Sequence, residues 1–391
     1  MDFSLTDEQQ MLRDLVAKFV RDNLIPLEPT VLAREAQGGP MSIVAEERAV
    51  LDAKAQELGL SKLESPEEFG GMNLDATTMV GVFEELGKTC VDYYFPPDSP
   101  NLHMLMKTCS DEQRKKYLEP YARGESTSAI AISEPGGGGD PASMITRAVP
   151  DGNGWKINGR KIWISKAASA DFTILMAVTD PEKGSRGGIS AFVVDKDTPG
   201  YNIAREIKMI GGRSTYEIAI EDLKLPGSAL LGELGNGYGP MQLRLSMRRV
   251  EMGAACAGKT RRALDLMKEW VKQRKTFGEL LSDRQAIQWW IADAEMRLHA
   301  LRLMVYNTAS KIDRGDQART ECSMVKLMGT ELAWDTIDKA MQAFGAMGMT
   351  KELPLQMMAN HVRGMRMYEG PSEVHRMLIA RHALQDRIPG L

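Results

Sequence analysis

Cysteine is scarce in this 391-residue chain: Cys90, Cys109, Cys256 and Cys322 lie far apart, and no two form a C-x-x-C pair. That spacing indicates neither a zinc ligand set nor a disulfide framework, and it fits a reducing compartment. Positive charge is not in excess either. Lysine and arginine number 49 against 53 aspartates and glutamates, a net charge of -4, so the broad cationic field that holds a nucleic-acid backbone is missing and no nucleic-acid partner is expected. No uncharged apolar run reaches membrane-spanning length, which argues against membrane insertion. The opening "MDFSLTDEQQ" has neither the charged-then-apolar order of a signal peptide nor the arginine-rich character of a transit peptide, so a cytoplasmic location is expected. Internal repeats and low-complexity tracts are also absent.

What remains is 43% hydrophobic and 26% charged, enough apolar material for two or three cores in an enzyme-sized globular protein. The 26 methionines read first as adaptable core filling. Thr6 with Gln9 predicts a capping box ahead of Leu12, Leu15, Val16, Phe19 and Val20 on one helical face. Helical patterning runs to about Arg123, broken near residue 95 by the prolines of "FPPDSPN". From about Ser126, short runs such as "SAIAIS", "KINGRKIWIS", "DFTILMAV", "ISAFVVD" and "YEIAIEDLKL", divided by "DGNG", "NG" and "RGG" turns, predict an antiparallel sheet folded as a small barrel or sandwich. Beyond Pro240 the chain returns to long helices. Leu264, Met267 and Val271 keep helical spacing, Ser282 with Gln285 predicts a second capping box before Ile287, and a helix over about Arg319 to Phe344 ends at "FGAMGM". The expected class is α+β, with helical segments over 1–124 and 237–391 flanking a β segment over 125–236, and a ligand site where they meet.

Four stretches could carry chemistry. "SEPGGGGD", Ser133 to Asp140, follows a strand, and its glycines would let backbone N–H groups approach a ligand. No helix follows, so a Rossmann phosphate loop does not fit and a plain surface loop is the simpler reading. Trp163 and Ser165 share one side on a two-residue period and could line a flat aromatic ligand, although a strand tryptophan packed in the core explains Trp163 by itself. Arg274 and Lys275, read as the last turn of a long helix, complement its dipole without any ligand; the planar fork of Arg274 would equally suit a phosphate. Finally, in "MYEGPSEVHR", Glu369 precedes Gly370 and Pro371, which end one helix and preset the next. A carboxylate buried at such a break has a raised pKa and can serve as a base, whereas a surface helix-end glutamate needs no function. Glu373, in the first turn after Pro371, reads as a partner of the helix dipole.

In one order, "SEPGGGGD", "NGRKIWIS", "QRKTFGELLSDRQAIQ", "QAFGAMGM" and "MYEGPSEVHRMLIARH" resemble the signature segments of the acyl-CoA dehydrogenase family over nearly the whole chain. The resemblance implies an N-terminal all-α domain, a middle β-barrel or sandwich and a C-terminal four-helix bundle, with FAD between the latter two and a homotetramer in which a neighbour completes the cofactor site. By position, Ile132, Ser133, Gly138 and Ser165 would meet the flavin and Trp163 would stack on it. Arg274, Phe277 and Gln285, with Gln342, Gly345 and Ala346 from a second chain, would hold the pyrophosphate and adenosine. Glu369 falls on the base that removes the α-proton of an acyl-CoA thioester while the β-hydride leaves for the flavin, giving a trans-2-enoyl-CoA. Its N–H would hold the thioester oxygen, with Tyr368, Gly370 and Arg249 beside the substrate and an electron-transfer flavoprotein as the electron acceptor.

Some branches of that family carry the base at the position of Arg248, which cannot act as one at neutral pH; Glu251 is three residues off. Gly139 replaces a common serine, Ala346 a frequent glycine and Pro371 a frequent threonine, and the proline-rich Tyr93 to Asn101 falls where the acyl pocket is usually shaped. These departures imply an atypical branch whose acyl chain is not that of the well-known fatty-acid members. A flavin oxidase or monooxygenase on the same scaffold, or a non-catalytic scaffold protein, is the alternative.

Overall fold

A computed structural model describes residues 5–97 and 100–388; Asp98 and Ser99 of the proline-rich stretch lie outside the described residues. Contacts divide the chain into two compact units. One gathers residues 1–60, 74–94 and 246–391, and the other gathers 61–73 and 95–245.

The first unit is helical. Helix α1 (Asp7–Phe19) starts at the expected capping box, with Thr6 and Gln9 each accepting the other's backbone N–H, and it buries Val16 and Phe19. It is followed by α2 (Glu28–Ala36), α3 (Ala45–Glu57) and α4 (Ala76–Leu86). Two buried acids on α4 tie it to its neighbours: Glu84 accepts from Arg13 of α1 at 3.1 Å and from Arg302 at 2.6 Å, while Glu85 accepts from Arg13 at 2.9 Å. Such pairs satisfy charges that would otherwise be costly to bury.

The second unit opens with α5 (Asn101–Thr108) and the short turns α6 (Asp111–Gln113) and α7 (Glu119–Ala122), before its sheet. The strands are β1 (Ser128–Ala131), β2 (Arg147–Asp151), β3 (Gly154–Ile164), β4 (Phe172–Val178), β5 (Ile189–Asp195), β6 (Tyr201–Lys208), β7 (Ser214–Pro226) and β8 (Leu230–Leu231). They run in the order β6-β7-β3-β2-β4-β5-β8, with β1 against β4. The sheet is not wholly antiparallel as expected, because β1 and β2 both pair with β4 in parallel. The "NG" at Asn158 and Gly159 is not a turn. It lies inside β3 at a register shift against β7, where a side chain on Gly159 would meet Thr146 Oγ1 at 2.4 Å, so the glycine serves a bulge and a close strand approach.

The chain then forms the long helices α8 (Tyr238–Val271), α9 (Gln285–Asp313) and α10 (Arg319–Phe344), with α11 (Leu355–Met365) and α12 (Ser372–Ala383) last. Helix α10 has the expected span and ends at Gly345 with φ +67°. The capping box expected at Ser282 is not formed. Leu281–Asp283 turns as a 3-10 segment, Arg284 takes the cap position without a side-chain bond, and α9 begins at Gln285. In the first unit α8 packs unusually close to α4 and α10: a side chain on Gly258 would sit 2.0 Å from the Glu84 carbonyl oxygen, and one on Gly253 would sit 2.2 Å from Val325. Asp313, at the end of α9, accepts from the Ala76 and Thr77 N–H groups at 2.7 and 2.9 Å and so caps α4 from a distance.

Candidate active site

The segment between α11 and α12 carries the unusual backbone. Glu369 has φ +56° and Gly370 φ +96°. A glutamate in the left-handed region costs about 1–3 kcal/mol and persists only where its surroundings enforce it. Those surroundings are visible. Arg249, buried on α8, donates from Nε to the Glu369 carbonyl oxygen at 3.0 Å. Lys326 on α10, 0% exposed, donates from Nζ to the next carbonyl, Gly370 O, at 2.7 Å.

Both flanks of the loop are fastened to Glu331 of α10. Arg366 makes a two-point ion pair with it at 3.0 Å and 3.0 Å, and the Ser372 hydroxyl donates to it at 2.8 Å. The fork geometry fixes direction as well as distance, so the carboxylate of Glu369 is presented from a loop that is clamped on both sides. Glu369 is half-buried rather than buried. Pro371 stands at the cap of α12, and Glu373 lies exposed in its first turn, the position expected of a dipole partner.

Burial governs the basic groups around the loop. It lowers the Lys326 ammonium to about 8. It also lowers His375 to about 3, with Arg249 and Lys326 adding to the effect, so His375 is a neutral ring at pH 7. His375 is almost wholly enclosed, its Nε2 has no hydrogen-bond partner, and that atom would lie 3.0 Å from a side chain on Gly370. Neither Lys326 nor His375 was expected from sequence; a lysine among the apolar residues of "SMVKLMG" was the available signal. Arg248, next to Arg249, pairs with Glu251 at 2.7 Å and lies over the Tyr94 ring, with its Cζ 5.1 Å from the centroid. Tyr368 is partly exposed, and its ring would lie 3.4 Å from a side chain on Gly364.

The second unit holds the other candidates. Glu134 is buried and accepts from Lys161 Nζ at 2.8 Å and from the N–H groups of Ile145 and Thr146 at 2.6 and 2.9 Å. Burial opposes its ionisation, but the Lys161 charge and these bonds hold its carboxyl below the usual range. Lys161 also donates to the Ile132 carbonyl at 3.0 Å, and Ile162 N donates to Ser133 O at 2.9 Å, which fixes the strand exit before the glycines. Gly138 is exposed in the loop that follows.

Trp163 is not core packing: it is 49% exposed, has φ +64° and sits at a register shift in β3. Ser165 is exposed just past the strand. An indole turned outward beside hydroxyls and a glycine loop is a donor set that fits a flat, hydrogen-bonding ring system.

In the first unit α8 ends at Val271, so Arg274 and Lys275 lie beyond its last turn and not within it. Lys275–Thr276 and Glu279–Leu280 form a hairpin, β9 and β10, around Phe277 and Gly278, which both have positive φ, as a two-residue hairpin turn requires. Phe277 is 100% exposed at its tip. Trp270 donates to the Ala343 carbonyl at 3.0 Å and stacks on Phe344 at 4.8 Å. This fastens the end of α8 to the end of α10, where Gln342, Gly345 and Ala346 are exposed, as is Gln285 at the start of α9.

Models of the acyl-CoA dehydrogenase N-terminal, middle and C-terminal domains match residues 6–125, 129–223 and 235–384. The chain belongs to the acyl-CoA dehydrogenase family. Within that family it is 39% identical to (R)-benzylsuccinyl-CoA dehydrogenase of Thauera aromatica over 396 aligned residues, which cover 99% of this chain and 98% of the relative. The butyryl-CoA dehydrogenase structure from Megasphaera elsdenii matches with a TM-score of 0.85 at 28% identity, covering 98% of this chain and 100% of that one. PigA, solved with FAD and proline, matches with a TM-score of 0.87 at 28% identity, covering 99% and 100%. The acyl-CoA dehydrogenase fold, with an N-terminal helical domain, a middle sheet domain and a C-terminal helical domain, is therefore that of this chain, and its members are oxidoreductases.

Proposed function

We propose that the protein is an FAD-dependent dehydrogenase that oxidises the α,β C–C bond of an acyl-CoA thioester, with Glu369 as the base. The observation that carries this reading is the left-handed Glu369, whose own carbonyl and the next are gripped by Arg249 and Lys326. The loop gives up local backbone stability to hold one carboxylate in place, as a proton-transfer site requires. Glu369 takes the α-proton, and its main-chain N–H donates to the thioester oxygen, where negative charge develops. Tyr368 and Gly370 border the acyl group. FAD, when bound, would supply the acceptor for the hydride that leaves the β-carbon. Trp163, Ser165, Ser133, Ile132 and Gly138 would hold its ring system, and Arg274, Phe277 and Gln285 its pyrophosphate and adenosine.

Full-length similarity to a benzylsuccinyl-CoA enzyme supports a bulky, substituted acyl group over a short straight chain. An electron-transfer flavoprotein as acceptor follows from the same family reading. Assembly as a homotetramer is supported by Trp289, Met296 and Leu303, large apolar side chains exposed at seven-residue spacing along α9, and by the exposed Gln342, Gly345 and Ala346.

The test is an anaerobic titration of the FAD-loaded protein with a panel of acyl-CoA thioesters, following the visible flavin band. Bleaching by substituted acyl-CoAs, followed by reduction of added electron-transfer flavoprotein, is the expected result. No bleaching by any thioester overturns the reading.

A further inference from the structure

Arg248 does nothing that the proposed chemistry needs, yet it is costly to keep. Its side chain is 17% exposed, and the pair it forms with Glu251 is almost enclosed. Three residues apart on one helix, such a pair contributes only a few tenths of a kcal/mol at a surface, and burial adds a desolvation cost for both ions. The guanidinium nevertheless stays charged: burial works against it, but Tyr94, Glu251 and Tyr368 hold its pKa well above the usual value.

Its position is defined on several sides. Nη1 donates to Glu251 at 2.7 Å, Nη2 donates to the Tyr94 hydroxyl at 3.3 Å, and the plane lies over the Tyr94 ring. Its neighbour Arg249 holds the Glu369 carbonyl, and Tyr368, the residue before Glu369, is near enough to act on its charge, so the guanidinium lies close to the residue proposed to border the acyl group. A guanidinium carries five donors in a planar fork, and these two bonds engage two of them. A fixed, charged fork near Tyr368 suits a second carboxylate.

We propose that Arg248 binds a free carboxylate on the acyl group, so that the substrate class is a CoA monothioester of a dicarboxylic acid. This rests on the acyl-CoA dehydrogenase reading above. Charge pairing of this kind selects and orients the substrate, and takes no part in proton or hydride transfer. Arg248 is thus a specificity residue.

The experiment compares (R)-benzylsuccinyl-CoA with the methyl ester of its free carboxyl group on the FAD-loaded protein. Binding is read by calorimetry and turnover by anaerobic flavin bleaching, with wild type, Arg248→Gln and Arg248→Lys, each checked for its flavin spectrum and melting temperature. Wild type is expected to bind the free acid at least tenfold more tightly than the ester. Arg248→Gln should lower the acid-to-ester ratio of kcat/KM about 100-fold, mostly through KM, and Arg248→Lys should restore part of it, since the charge returns without the fork. Equal binding of acid and ester by wild type, or a ratio unchanged in both variants, overturns the proposal even if bleaching is strong. Tighter binding of the acid that is lost in Arg248→Gln supports it even if no thioester bleaches the flavin, in which case the dehydrogenase reading fails instead.

Discussion

The guanidinium of Arg249 donates a 3.0 Å hydrogen bond to the main-chain carbonyl of Glu369, 120 residues away in sequence. The side chain of the proposed base is therefore oriented through its own backbone, and the loop's geometry depends on a helix that precedes it by most of a domain.

If Glu369 is the base, Glu369→Gln keeps shape and hydrogen bonding but cannot accept the α-proton. Substrate-dependent flavin reduction in stopped flow should fall by about 10²–10⁴, with flavin content unchanged. Reduction at near-normal rate would move the base elsewhere, with Glu251 the next carboxylate to test.

Arg249→Met removes the donor to the Glu369 carbonyl but leaves the carboxylate. The expected loss is about 10- to 100-fold in kcat, with thioester binding altered far less, because misplacement of the base acts on the chemical step. An unchanged kcat would show that the loop holds its shape without this bond.

Gly370→Ala forces a side chain onto φ +96° and to 3.0 Å from His375 Nε2. A loss of about 1–3 kcal/mol in stability should accompany a loss of turnover, read by chemical denaturation and by flavin bleaching on the same sample. Wild-type values for both would mean that the loop is far more pliant than its clamps suggest.

His375 is lowered to about 3 by burial, helped by Arg249 and Lys326, against an ordinary value near 6.5. Between these values the unfolded chain binds a proton that the folded chain does not, so stability is fully present above about pH 6.5 and is lost as pH falls towards 3. The His375 contribution to that slope is at most about 1.4 kcal/mol per pH unit. Denaturation curves from pH 7 to pH 4 should be flatter for His375→Gln than for wild type; parallel curves would remove His375 from the acid response.

Trp163 and Phe277 are both exposed, so Trp163→Ala and Phe277→Ala should leave the melting temperature of the flavin-free protein nearly unchanged while weakening FAD retention on dilution. A drop of several degrees in the flavin-free protein would mean that these rings pack against the fold after all.

Much of this was legible in the sequence wherever the deciding interaction is local. The Thr6–Gln9 box, the span of α10 and its glycine stop follow from spacing and from single-residue conformational preference. Strand β2 was not legible, because "RAVPD" is short of alternating apolar residues and is held by β3; β6 has Tyr201, Ile203 and Ile207 at two-residue spacing, but the strand is largely exposed, interrupted by Arg205, and held by β7. Ser282 failed as a cap because the 3-10 turn at Leu281–Asp283 delays the helix, which no local pattern announces. In the site, Glu369 stood out by its Gly-Pro neighbours. Of its clamps, Arg249 stood out only through the family resemblance, and Lys326 and Glu331 did not stand out at all: they reach the loop from other helices, and only packing reveals that a buried lysine has a carbonyl to hold.

The glycines that bring α8 against its neighbours have an evolutionary corollary. With the backbone at Gly253 and Gly258 in contact with Val325 and with the Glu84 carbonyl, α8 cannot slide gradually; its register is all or none. Arg249, one turn before Gly253, inherits that fixed address and is bound to the loop. Arg248, one position earlier, shares the address but faces Tyr94 and Glu251, with no bond to the loop's carbonyls. Substitution at 248 therefore leaves the grip of Arg249 on the loop in place, so that a change in what the Arg248 side meets need not disturb the backbone that carries Glu369.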